Sequence, residues 1–229
     1  MPEINLPEKT QTVLKRIRKK YKVGFEPLRI RDVELKILQV QDLEHLLAGK
    51  DPFADVASFP FWVKLWEASL MLADIMASMP AKPGQTLLEL GAGLAAPGLV
   101  AAARGYQVTL SDYEPHILDF QRVSAAANGL TEVDFRMIDW KKPPAIPPFD
   151  MIIGAEILFR DEFFQPLLDV FNKYLAPQGT IYLAHDGRRK SLPKFLDRAQ
   201  QEYQIAVSAR KMKSEEGELT IIINRLKRK

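Results

Sequence analysis

A chain of 229 residues, 47% apolar and 27% charged with a net charge of +3, is enough for one large α/β domain or two small ones around a buried core. The absence of cysteine excludes disulfides, thiolate metal sites and cysteine nucleophiles, and it fits a reducing cytoplasm, the expected location. No metal site and no membrane span are expected: the three histidines (His45, His116, His185) are scattered, and no apolar run reaches the ~18 residues of a spanning helix.

Residues 1–7 lack the charged and apolar regions of a secretory signal. Residues 8–20 have helical spacing with Val13, Leu14 and Ile17 on one side, and Lys15, Arg16, Arg18, Lys19, Lys20 and Lys22 form a basic cluster. Residues 22–40 read as two strands turning near Arg31-Asp32, and 42–49 as a short helix ending at Gly49. This extension, residues 1–60, precedes a domain over 61–229 in which the pattern changes. A helix is expected at 62–79, stopped by Pro80, Pro83 and Gly84. Strand-like runs follow at 86–90, 107–111, 133–137, 151–154, 180–184, 204–208 and 219–224, with helical stretches at 97–104, 114–128, 161–175 and 191–202. Strands alternating with helices predict βαβ units. The last two strands have only a polar loop between them and should pair antiparallel. The expected fold is therefore α/β: a doubly wound, mostly parallel, Rossmann-like sheet of about seven strands with an antiparallel C-terminal hairpin. A second basic cluster, Arg225, Lys227, Arg228 and Lys229, ends the chain.

The most informative segment runs from Leu87 to Gly98, where an apolar strand enters Gly91-Ala92-Gly93 and Pro97 suits the start of a helix. A turn without a ligand, a dinucleotide fingerprint (Gly91, Gly93, Ala96) and a nucleoside-sulfonium site all fit this pattern; the missing Walker lysine excludes a P-loop. Glu89, two residues before the first glycine, would oppose a pyrophosphate and suit a ligand carrying an ammonium and a sulfonium. Asp112 closes the second of these strands, where a carboxylate accepts ribose hydroxyls or caps the next helix. Tyr113 follows it. After the third, Asp139 offers an acceptor and Trp140 a flat wall for an adenine. After the fourth comes Gly154-Ala155-Glu156-Ile157-Leu158-Phe159. There Ala155 permits close approach, Glu156 places a charge beside the reactive end of a ligand, and Phe159 adds a ring.

Over about residues 62–224 this constellation resembles the seven-strand class I methyltransferases, and within them the family 16 group, which includes many protein lysine methyltransferases. Trp66 fits the family's tryptophan before the first strand, with Trp62 as second choice. The family's E-L-G-A-G-T-G-L-x-G reads here E-L-G-A-G-L-A-A-P-G, with Ala95 in place of the third glycine; its G-A-D-x-x-Y reads Gly154-Ala155-Glu156-Ile157-Leu158-Phe159. The resemblance implies S-adenosylmethionine as cofactor, held by Trp66, Glu89, Gly91, Ala92, Gly93, Asp112, Tyr113, Asp139, Trp140 and Ala155, and a methyl acceptor met by Glu156 and Phe159. A protein lysine is the first acceptor class and a small molecule the second; an interaction module that binds the cofactor or nothing, and an NAD-binding protein, are the further alternatives. A monomer is expected. Few aromatics interleave with the basic clusters, so a nucleic-acid partner is not.

Overall fold

The computed structural model describes residues 4–42, 60–214 and 217–229; the helix expected at 42–49, and His45 with it, lie outside them apart from residue 42. Helix α1 (Glu8–Arg18) buries Leu14 and Ile17, and strands β1 (Val23–Ile30) and β2 (Val33–Val40) form a hairpin whose two-residue turn is Arg31-Asp32. A 3-10 turn (Phe61–Val63) leads to α2 (Glu67–Ser78). The alternating part follows: β3 (Thr86–Glu89), α3 (Ala96–Ala103), β4 (Gln107–Asp112), α4 (Pro115–Ala127), β5 (Val133–Met137), β6 (Phe149–Ala155), α5 (Phe164–Tyr174), β7 (Leu175–Asp186), α6 (Ser191–Ala199), β8 (Tyr203–Ser214) and β9 (Gly217–Arg228).

Seven strands pair in the order β5-β4-β3-β6-β7-β9-β8, parallel except for the β7–β9 and β9–β8 pairs. The chain builds one way from β3 to β5 and then returns to place β6 on the other side of β3. That reversal opens a crevice beyond the carboxyl ends of β3 and β6, the position where open α/β sheets bind ligands. Alternation sends successive side chains to opposite faces. Leu87, Met151, Ile153 and Ala184 pack with α2, α3 and α4, whereas Leu88, Ile152 and Leu183 pack with α5 and α6.

Three strands run well beyond expectation. Strand β7 begins at Leu175 and carries Pro177 and Gly179, residues that read as loop; its pairing with β6 shifts register between Phe149 and Met151, which absorbs them. Strands β8 and β9 each run to 12 residues because the hairpin's outer positions are charged or polar, which hides a strand from apolar periodicity.

The extension shares the main core. Ile37 and Leu38 are fully buried in the same cluster as Leu72, Leu99 and Phe120. The free edge of β2 is met by side chains of α4 and the residue after it: Leu38 donates its N–H to Ser124 Oγ (2.9 Å), and Asn128 both accepts from Lys36 N–H and donates to Lys36 C=O (2.8 Å each). At the hairpin's tip Arg31 (φ 54°) pairs with Asp74 of α2 at 2.7 Å, and Asp32 pairs with Arg104 after α3.

Candidate active site

The loop after β3 turns on Gly91 (φ 59°) and Gly93 (φ 53°), a left-handed conformation that costs an L-residue ~1–2 kcal/mol. A Cβ on Gly91 would lie 3.0 Å from Ile157 and 3.5 Å from the Trp140 ring, so the glycine also makes room for close approach. Ala95 takes the same conformation (φ 60°) with a side chain, at the N-cap of α3. The loop is held by Ala92 N–H donating to Ser111 C=O (2.9 Å) and Ala95 N–H to Ala92 C=O (2.7 Å).

Glu89 is placed differently from expectation. Its carboxyl lies beneath the loop, 2% exposed, and accepts the Gly98 N–H at 2.8 Å. Gly98 is glycine for that reason: a Cβ would sit 2.4 Å from Glu89 Oε2 and 2.3 Å from Leu110 Cδ2. Burial pushes the Glu89 carboxyl up to about 8, against the pull of the Gly98 hydrogen bond, so it is mostly neutral at pH 7. A mostly neutral carboxyl there presents little charge to either an ammonium or a diphosphate. It positions the start of α3.

Asp112 stands at the crevice rim at the end of β4. Its Oδ2 accepts Gly93 N–H (2.9 Å) and its Oδ1 accepts Tyr113 N–H (2.7 Å), which leaves each oxygen a further lone pair. Burial raises it to about 6 against the two N–H donors, and it is largely ionised at pH 7. Tyr113 beside it is 66% exposed. On the other wall Asp139 Oδ1 accepts Lys141 N–H (2.9 Å) in a tight turn, which leaves Oδ2 for a ligand, and Trp140 stands over Gly91. Glycines without Cβ, an ionised aspartate with open lone pairs and an indole wall fit an adenosine lying from Asp112 to Trp140.

The other end of the crevice is a run of rings. Phe61 lies 5.8 Å from Trp66 and 6.4 Å from Phe159; Phe159 lies 5.5 Å from Phe163, which meets Trp140 edge-on at 5.6 Å. Trp66 donates its indole N–H to Phe61 C=O (2.7 Å), which aims its ring. The ring of Trp62 turns away to Tyr21, His116 and Phe120, while its backbone lies 3.5 Å from where a Gly93 Cβ would be. Lysine ammoniums already rest over two of the rings, Lys64 over Trp66 (5.2 Å) and Lys141 over Phe163 (5.3 Å).

Ala155, half-buried, ends β6, and Glu156 follows with φ 57°. Glu156 Oε1 accepts Asp186 N–H at 2.6 Å, and Oε2 pairs with Arg189. Burial still raises the Glu156 carboxyl, opposed chiefly by the Arg189 charge. His185 is fully buried in β7; neither ring nitrogen has a hydrogen-bond partner among the described residues, and burial with the nearby Arg189 pushes it down to about 3. His116 is half-buried against Tyr21 and Trp62 and 3.2 Å from Glu114. Sequence reasoning missed Phe61, Phe163 and Arg189. The two phenylalanines carried no motif, and Arg189 and Asp186 reach Glu156 only because β7 lies beside β6. Among the described residues no group of three or more potential metal ligands comes together.

A model of the lysine methyltransferase family matches residues 60–202, which span α2 to α6 and every residue of the crevice. The chain belongs to that family. Among its relatives, mouse histone-arginine methyltransferase METTL23 is 35% identical over 111 residues, 45% of this chain and 44% of that one. Protein N-lysine methyltransferase METTL21A of Xenopus tropicalis is 30% identical over 148 residues, covering 62% and 68%. The chain spans about half the length of the first of the curated relatives it matches. The crystal structure of a precorrin-6Y C5,15-methyltransferase from Geobacter metallireducens superposes with TM-score 0.58 at 13% identity over 72% of this chain and 93% of that one, a likeness of fold. The family's match leaves out α1, β1, β2, β8 and β9.

Proposed function

We propose that this chain transfers a methyl group from S-adenosylmethionine to a lysine side chain of a protein. The observation that carries the acceptor is the ring run Phe61–Phe159–Phe163 beside Glu156, at the crevice end opposite Asp112. When bound, S-adenosylmethionine supplies a methyl already activated at a sulfonium. Asp112 would hold the ribose hydroxyls, with Tyr113 beside them; Trp140 would wall the adenine and Asp139 accept from its amino group. The glycine turn would lie against the amino-acid moiety, with Ala155 giving room at the reactive end.

The work left to the protein is positioning and deprotonation. A lysine amine must arrive neutral against a free pKa of ~10.4, and the phenyl and indole walls disfavour the ammonium by excluding water. Glu156 would accept a hydrogen bond from the amine and stabilise the charge that grows on the nitrogen as the methyl arrives. Arginine is the second acceptor class, in keeping with the name of the mouse relative.

No described helix is long and apolar enough to cross a membrane, and with a cysteine-free chain we place the reaction in the cytoplasm. The test is isotope-labelled S-adenosylmethionine with cell extract, followed by mass spectrometry of labelled proteins. A methyl increment on lysine is expected. An increment on arginine selects the second class. Label confined to small molecules, or no binding of S-adenosylhomocysteine by calorimetry, overturns the assignment.

A further inference from the structure

The two basic clusters end up at opposite edges of the molecule. Strand β9 runs antiparallel to β7, with Ile221 beside Asp186 and Leu226 beside Ile181, so residues 225–229 lie at the amino ends of the parallel strands, away from the crevice. Arg228 there is engaged by the Asn172 and Leu175 carbonyls. The α1 cluster lies on the crevice side. Tyr21, just past the helix, packs against Trp62 (5.7 Å between ring centroids) and His116 (6.4 Å); the Trp62 backbone lies against Gly93, and His116 opens α4 four residues after Asp112.

The cations on this helix end are exposed and unengaged. Arg16 pairs with Asp119, but Lys15, Arg18, Lys19, Lys20 and Lys22 are exposed and have no ion pair among the described residues. Lys15 and the C-cap residue Lys19 are like charges four apart, a spacing that is unfavourable on a helix. Leu14 and Ile17 anchor the opposite side in the core, so the charges are held in a fixed orientation. Five uncompensated positive charges at the mouth of a cleft create a field that attracts and orients negative chains.

We infer that the end of α1, with Lys15, Arg18, Lys19, Lys20 and Lys22, is a docking surface for an acidic segment of the protein substrate. The inference rests on the proposed protein acceptor. The α1 end borders the Asp112 end of the crevice, so charge recognition there orients the substrate without occupying the ring run at the other end.

The experiment measures fluorescence anisotropy of labelled 12-residue peptides, one with a lysine followed by a glutamate-rich run and one with those glutamates replaced by glutamine. The full chain is compared with the triple variant Lys19→Glu, Lys20→Glu, Lys22→Glu and with Lys227→Glu, Lys229→Glu. Wild type is expected to bind the acidic peptide at least about tenfold more tightly at low salt, with the preference lost at 0.5 M salt, where screening shortens the reach of exposed charges. The triple variant loses the preference; the β9 variant keeps it. Calorimetry with S-adenosylhomocysteine gives the same affinity in all three chains and shows that each is folded. A preference that survives the triple change, or one abolished equally by the β9 change, overturns the docking surface. So does tighter binding of a 12-nucleotide single-stranded RNA, which would assign the charges to nucleic acid. If S-adenosylhomocysteine binds none of the chains, the methyl-transfer reading fails instead.

Discussion

The two ends of the crevice are built in different ways. At the Asp112 end the geometry is set by backbone: two left-handed glycines, a carboxylate accepting two main-chain N–H groups, and a neutral carboxyl beneath the loop accepting a third. At the Glu156 end it is set by side chains from three separate stretches, Phe61 and Trp66, Glu156 to Phe163, and Asp186 to Arg189. A backbone-built site tolerates little substitution and binds a constant ligand, while a side-chain-built one changes its acceptor without disturbing the sheet. Substitutions should therefore separate the ends, with loss of fold or cofactor at the first and loss of transfer alone at the second.

Gly98→Val should show the largest effect. The added atoms have no room beside Leu110 and Glu89, and a loss of about 3 kcal/mol or more is expected in denaturant unfolding. Asp112→Asn comes next: S-adenosylhomocysteine affinity should fall about tenfold or more by calorimetry, from loss of a charged acceptor worth ~1.5–3 kcal/mol, and stability should fall as well, because the amide nitrogen would face one of the two N–H groups the carboxylate accepts. If it binds unchanged, the ribose role of Asp112 is wrong.

Glu89→Gln probes the neutral carboxyl through pH. The folded-state pKa of Glu89 is raised, so its contribution to stability is full below about 4.5 and is lost as pH rises through about 8. Glutamine mimics the neutral form, and the variant should keep its fold and lose stability less steeply between pH 5 and 8. His185 works in the opposite sense. Its depressed pKa gives stability that is present above about 6.5 and lost as pH falls toward about 3. Wild type should accordingly be most stable in mild acid, measured by thermal melts across pH. An unchanged pH profile for Glu89→Gln would show that the carboxyl is ionised after all.

Phe159→Leu should leave stability and cofactor affinity within about 1 kcal/mol and lower transfer to the protein acceptor, because it removes a ring without opening a large cavity. A parallel loss of cofactor affinity would erase the difference between the two ends. Ala95→Gly is the smallest change: relief of the left-handed strain should raise stability by up to ~1 kcal/mol in the same unfolding assay.

Local chemistry made much of the fold legible. Apolar runs with turn residues between them marked all seven strands of the sheet, and Arg31-Asp32 was readable as a turn because two alternating segments flank it. The Gly91 to Gly98 segment was readable as a tight strand-to-helix turn because glycine spacing is a backbone constraint written directly in residue type. The lengths of β8 and β9 were not, since their outer faces are charged, and neither was the passage of β7 through Pro177 and Gly179.

What the sequence by itself determined was the alternation of strands and helices, and with it a crevice at the carboxyl ends of β3 and β6, because periodicity and glycine are properties of neighbouring residues. Only the tertiary structure decided which way Glu89 faces, that Arg189 meets Glu156, that Trp66 rather than Trp62 turns its ring to Phe61, and that one basic cluster borders the crevice while the other does not. Each of these depends on which segments the sheet order makes neighbours, and on how deeply a charge is buried once they meet, and neither quantity exists until the chain has folded.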